Sequence, residues 1–119
     1  QKHMGYELVE WSDGFAKLVM PIGPHLLNRE GIPHGGALAT VLDTAMGFAG
    51  SYTGDPDKPN IVMTLNLSVN YMAKANGTRL ITTANVTGGG YKTFFAEARV
   101  NDELGTVAAT ATGVFKHKI

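Results

Sequence analysis

Asp43 is the one charged residue in a long apolar stretch. From Ala37 to Ala49 nearly every other position is apolar or small, with Thr40 and Thr44 the polar exceptions. An unpaired buried carboxylate is costly. Asp43 therefore turns to solvent, bonds to a neighbour, or is kept as a base or nucleophile. The lead-in, Pro33-His34-Gly35-Gly36, places no Ser, Thr, Asp or Asn at the helix N-cap. The first amides, that of Gly36 among them, then lack the usual side-chain acceptor. Two glycines leave them uncovered, and an open helix N-terminus suits an anion or a developing oxyanion. Donors that polarise a carbonyl and a carboxylate that activates a nucleophile are complementary parts of one chemistry. The plainer reading is a solvent-facing Asp after a Gly-Gly turn, and residue types alone leave both open.

The elements that must position these residues follow from the hydrophobic period. Residues 5–20 read as extended, and Ser12-Asp13-Gly14 is a turn that makes them two short strands or one bent hairpin. Residues 21–33 carry two glycines and three prolines, which predicts a connection with one helical turn around Pro24–Asn28. A helix is expected from Gly35 to Tyr52, and Gly54 to Asn60 end it in an exposed loop. On a 3.6-residue wheel Gly36, Thr40, Asp43, Gly47 and Gly50 share one stripe. Such a stripe admits another helix or lines a cleft. The period then changes to two: from Met63 to Tyr71 every odd residue is apolar and every even one polar, a strand with one buried face. Further strands are expected at 78–87, 91–100 and 106–116, separated by turns at 75–77, 88–90 and 101–105. One helix followed by four hairpin-linked strands is an α+β pattern with an antiparallel sheet. A helix apolar almost all round must be deeply covered, so the sheet should curl around it. The 119 residues suit a single domain, 1–119, with no linker or repeat.

Several chemistries are excluded. Formal net charge is zero, against the basic excess of a nucleic-acid surface. Without cysteine there is no thiolate nucleophile and no Cys-ligated zinc. The four histidines show no paired metal-ligand spacing, and no Ser lies in Gly-x-Ser-x-Gly. Gly88-Gly89-Gly90-Tyr91-Lys92-Thr93 lacks the spacing and following helix of a phosphate loop, so it reads as a hairpin turn. No apolar run is long enough to span a membrane. No signal peptide is legible at Gln1, which makes the cytoplasm the expected compartment.

Asn28…Gly31-Ile32-Pro33-His34-Gly35-Gly36…Leu42-Asp43-Thr44-Ala45 resembles the hotdog-fold acyl-CoA thioesterases. It is most similar to the phenylacetate-pathway and thioesterase-superfamily-member types. The resemblance continues through Val62–Met72 and Gly90–Ala98 to Gly113, nearly the whole chain. It implies a long helix wrapped by an antiparallel sheet, and acyl-CoA as substrate. It implies that Asp43 activates water or attacks the thioester, and that the Gly36 amide holds the thioester oxygen. Asn28 and His34 match groups that steady that oxygen or the water. Thr64 stands where some members orient the water, although strand alternation puts it opposite the core face. For the coenzyme A phosphates the resemblance implies a basic rim near the turn before the fourth main strand. Gly90, Tyr91 and Lys92 fit it, Lys74 follows a strand end, and Lys116, His117 and Lys118 form a basic tail.

No cofactor is implied. Gly36 and Asp43 are seven residues apart, roughly 10 Å along one helix. That is too far for both to engage one thioester carbonyl, so a homodimer with shared sites is the expected active unit, and the family often pairs dimers into a homotetramer. Two other functions remain open: a non-catalytic acyl-CoA-binding or regulatory module, and a hotdog hydratase or dehydratase. The latter usually relies on a His paired with an acid, and this helix carries Asp without His. Met46, Phe48, Met63 and Met72 suggest an adaptable apolar pocket or ordinary core.

Overall fold

The computed structural model describes residues 5–23, 35–55 and 57–118. The hairpin expected at the start is present as β1 (Glu7–Ser12) and β2 (Phe15–Pro21), turning at Gly14 with φ +72°. The long helix α1 runs Gly35–Ser51. Four strands follow: β3 (Val62–Tyr71), β4 (Arg79–Gly89), β5 (Thr93–Asp102) and β6 (Val107–His117). They form one six-stranded sheet in the order β1-β2-β4-β5-β6-β3, with every pairing antiparallel. The α1 helix touches all six strands. This is the α+β hotdog arrangement, a sheet wrapped around one helix. Among the described residues no helix is long and apolar enough to cross a membrane.

The helix is held by its apolar face. Val41, Leu42, Ala45 and Met46 are buried among Leu18, Met20, Leu80, Val100 and Phe115. Burying one such leucine fully stabilises the fold by about 2 kcal/mol. Phe94 stacks on Phe115 at 5.0 Å, and the Trp11 indole N–H donates to the Phe48 carbonyl at 2.7 Å, pinning β1 to the helix. The small residues of β6 do permit close approach. A Cβ on Gly113 would lie 3.2 Å from the Met46 methyl and closer still to the Phe115 ring.

Three expectations are corrected. The helix is not covered all round: Gly36 and Thr40 are exposed, and Asp43, Thr44, Gly47 and Phe48 are half-buried. Its own sheet reaches only one side. Next, Gly88 and Gly89 belong to β4 rather than to the turn. A bulge after Val86 keeps them in the ladder opposite Phe95 and Phe94, so the turn falls at 90–92 and β5 starts two residues late. Finally, β3 does not keep one face throughout. A bulge at Leu65 breaks the register between Thr64, opposite Phe115, and Asn66, opposite Val114. One extra residue reverses which parity faces inward. Val62 and Thr64 face the helix before the bulge, and Leu67, Val69 and Tyr71 after it.

Candidate active site

The helix and β3 run past each other in opposite directions and meet at three levels. At the helix start, the Tyr71 hydroxyl donates to the Gly35 carbonyl at 3.0 Å. A Cβ on Gly35 would sit 3.2 Å from that phenol, so the first glycine is a fit to Tyr71. Two turns on, the Thr64 hydroxyl donates to Asp43 Oδ1 at 2.7 Å. One turn further, Gly47 lies against Val62, whose Cγ2 would be 3.6 Å from an added Cβ. Thr40 Oγ1 donates to the Gly36 carbonyl at 2.8 Å, closing the first turn on itself.

Asp43 is thus neither a buried orphan nor a free surface charge. Among the described residues its Oδ2 accepts no hydrogen bond, and Thr64 donates its proton while keeping its oxygen lone pairs. A water set between Thr64 Oγ1 and Asp43 Oδ2 would find an acceptor at each. A helix that begins at Gly35 gives the Gly36 amide no acceptor within itself. That amide lies about 10 Å from Asp43 along the same helix.

The bulge places Thr64 on the helix side, where strict alternation had put it on the far face. Tyr71 was missed as a positioning residue; its signal was its place in the odd apolar series of β3. Asn28 and His34 lie outside the described residues. So does the helical turn expected at 24–28. Gly50 leaves the stripe, because a Cβ there would overlap the Phe94 ring, so its smallness serves the core. Of the four residues suggested for an apolar pocket, Phe48 alone borders a groove at this site. Met46 is core, and Met63 and Met72 are exposed away from it.

The basic residues divide between two ends of the sheet. Gly90, Tyr91 and Lys92 form the exposed β4–β5 turn, where the His117 amide donates to the Lys92 carbonyl at 2.8 Å. Lys116 pairs with Thr93, and the Lys118 amide bonds to Ile61, so these residues end the sheet in order rather than trailing as a tail. Lys74 follows β3 at the opposite end, three residues beyond Tyr71, whose hydroxyl bonds to Gly35. The ten residues of β3 span roughly 33 Å, so one chain does not bring Lys74 to Lys92.

The Thioesterase superfamily profile matches residues 30–109. A candidate esterase of Halobacterium salinarum is 36% identical over 115 residues, 93% of this chain and 75% of that protein. The acyl-coenzyme A thioesterase THEM4 of Bos taurus is 31% identical over 113 residues, 80% of this chain. The match spans only 44% of that protein's length. The E. coli PaaI protein of the phenylacetic acid degradation operon superposes with a TM-score of 0.88 at 20% identity, covering 99% of this chain and 83% of its own.

Proposed function

We propose that this chain, which belongs to the thioesterase superfamily and is by family a thioester hydrolase, cleaves acyl- or aryl-acyl-CoA to the free acid and CoA. The observation that carries this is the Thr64–Asp43 hydrogen bond on the uncovered side of α1. It fixes one carboxylate oxygen, and among the described residues nothing donates to the other, which lies beside a hydroxyl able to accept from water. The cattle relative's name supports the acyl-CoA class.

In this reading Asp43 Oδ2 takes a proton from the water held against Thr64. The resulting hydroxide equivalent adds to the thioester carbonyl carbon. The oxygen becomes an oxyanion and is met by the Gly36 amide, with Asn28 and His34 steadying it or the water. Collapse breaks the C–S bond, and the proton on Asp43 passes to the departing thiolate, giving acid and free thiol. Direct attack by Asp43 would instead form an anhydride, which water then opens.

Gly36 and Asp43 serve one carbonyl only if they come from two chains. Among the described residues β3 pairs with β6 alone, so it is an edge of the sheet whose outer amides and carbonyls have no strand partner there. Antiparallel pairing of β3 with its copy about a twofold axis would lay the two open helix faces together, Gly36 of one towards Asp43 of the other. The same operation carries Lys74 of one subunit to the Lys92, Lys116 and Lys118 end of its partner, forming the phosphate-binding rim with Gly90 and Tyr91. Pairing of dimers then gives the tetramer.

Complementation tests the shared site. Asp43→Asn and Gly36→Pro each inactivate one component, and proline is tolerated in a first helical turn while deleting the amide. Each folded parent is expected to be inactive alone. Unfolded and refolded together in equal amounts, half the dimers are mixed with one intact site each, so roughly a quarter of wild-type activity returns. No return from two folded parents would sink the shared site.

A further inference from the structure

Two glycines stand one turn apart inside α1, and glycine weakens a helix interior. Core packing against Phe94 explains Gly50. It does not explain Gly47, where an added Cβ would make only an ordinary contact with Val62 at 3.6 Å. Gly47 instead forms the floor of an apolar groove of about 290 Å³, walled by Tyr6, Phe48, Pro59 and Val62, with Thr44 and Ser51 along the helix. At Gly47 the groove lies one helical turn beyond Asp43, and Val62 stands on the same face of β3 as Thr64.

We infer that this groove is the acyl-chain subsite, and that Gly47 and Val62 set the length and width of the acyl group accepted. The inference rests on the thioester reading of Asp43 and specifies its substrate as a medium-length apolar acyl or compact aryl-acyl group. The rise from Asp43 to Gly47 is about 6 Å. At about 1.5 Å per C–C bond, roughly the first four carbons bridge from the scissile carbonyl to the groove. A methylene fills about the space of a liquid water, roughly 30 Å³, so the groove takes no more than about ten carbons. An acetyl group does not reach it.

The test is affinity for S-alkyl-CoA thioethers from two to eighteen carbons, measured by calorimetry, which needs no turnover. Wild-type affinity should rise about threefold to fourfold per methylene from about C4, level no later than about C14, and stay flat beyond. Gly47→Val should leave the C2 ligand within twofold and weaken the C8 ligand at least tenfold. Gly47→Ala, which strengthens the helix, should show the same pattern at about threefold. Val62→Ala should move the plateau to longer chains. Equal weakening at every length, or no length-dependent change in folded Gly47→Ala and Val62→Ala, would overturn the subsite. So would a fall in oligomeric mass on Gly47→Val, which would mean a second copy fills the groove. Affinity that follows chain length without hydrolysis by wild type strikes the proposed activity and leaves the subsite standing. Hydrolysis with a flat length profile strikes the subsite alone.

Discussion

The β5–β6 turn and the open side of α1 each present a carboxylate to hydrogen-bond donors, and the two are served very differently. Asp102 has no exposed surface, and all its acceptor sites are taken by backbone amides. Its Oδ2 accepts from Asn76 at 2.8 Å and Gly77 at 3.1 Å, and its Oδ1 from Thr106 at 2.9 Å and Leu104 at 3.0 Å. Glu103 beside it accepts from the amide and hydroxyl of Thr78 and the amide of Arg79. Together they lace the β3–β4 connection to the turn, and Gly77 is bare because a Cβ would run into the Glu103 carboxylate. Asp43 is half-buried, and among the described residues it accepts from the Thr64 hydroxyl alone. A carboxylate saturated by amides has no capacity left for a substrate, whereas one held by a single hydroxyl is oriented and still able to accept.

The contrast breaks most sharply if the two are exchanged in effect. Asp43→Asn should lower kcat/KM by on the order of 10²–10⁴, with Tm changed by no more than a few degrees. Retention of more than about a tenth of wild-type kcat/KM would remove Asp43 from the chemistry. Asp102→Asn should do the reverse. Its new NH₂ would point at two backbone N–H groups that now find an acceptor, lowering Tm by on the order of 5–10 °C. Activity per folded molecule at 20 °C should stay within twofold.

Thr64 extends the contrast at a smaller scale, because in the proposed mechanism it acts only through Asp43 and the water. Thr64→Val keeps the shape and loses the hydroxyl, and should lower kcat about tenfold with KM unchanged. Thr64→Ser should restore most of it. A loss carried by KM, or one that Ser does not rescue, would make Thr64 a packing residue.

Much of this was legible in residue types. The helix was readable because apolar spacing, two glycines at its start and Gly54 after it agree, and the strands because their turns are marked by Gly, Asn and Asp. Asp43 stood out as the lone charge in its stretch. What escaped was set by register. The bulge at Leu65 lies inside an unbroken apolar–polar alternation, so nothing local marked the reversal that turns Thr64 inward. Gly88 and Gly89 resemble a turn and are ladder residues, because the deciding contacts come from Phe94 and Phe95 across the strand pair. Asp102 and Glu103 looked like ordinary turn residues, since their partners lie some 25 positions back in sequence. Lys74 and Lys92 were grouped by charge, and only the topology of β3 shows that one chain keeps them apart.

The smallest effect expected is on acid stability, and it separates the saturated carboxylates from the rest of the chain. The amide of Asn76, followed by those of Thr106, Gly77 and Leu104, holds Asp102 below the usual carboxylate range despite its burial. The amide of Thr78 is the main cause that brings Glu103 down to about 2. In the unfolded chain both titrate near about 4. The unfolded state therefore binds these protons first as pH falls, and the stability the two groups contribute is complete above about pH 5 and lost towards about pH 2. Tm of the wild type should hold between pH 7 and 5 and drop below that. Glu103→Gln should start a few degrees lower at pH 7 and converge on wild type near pH 2, because its side chain has no proton to gain. Two parallel curves, offset equally at every pH, would mean that the Glu103 charge contributes nothing and that only the shape of the side chain matters at this turn.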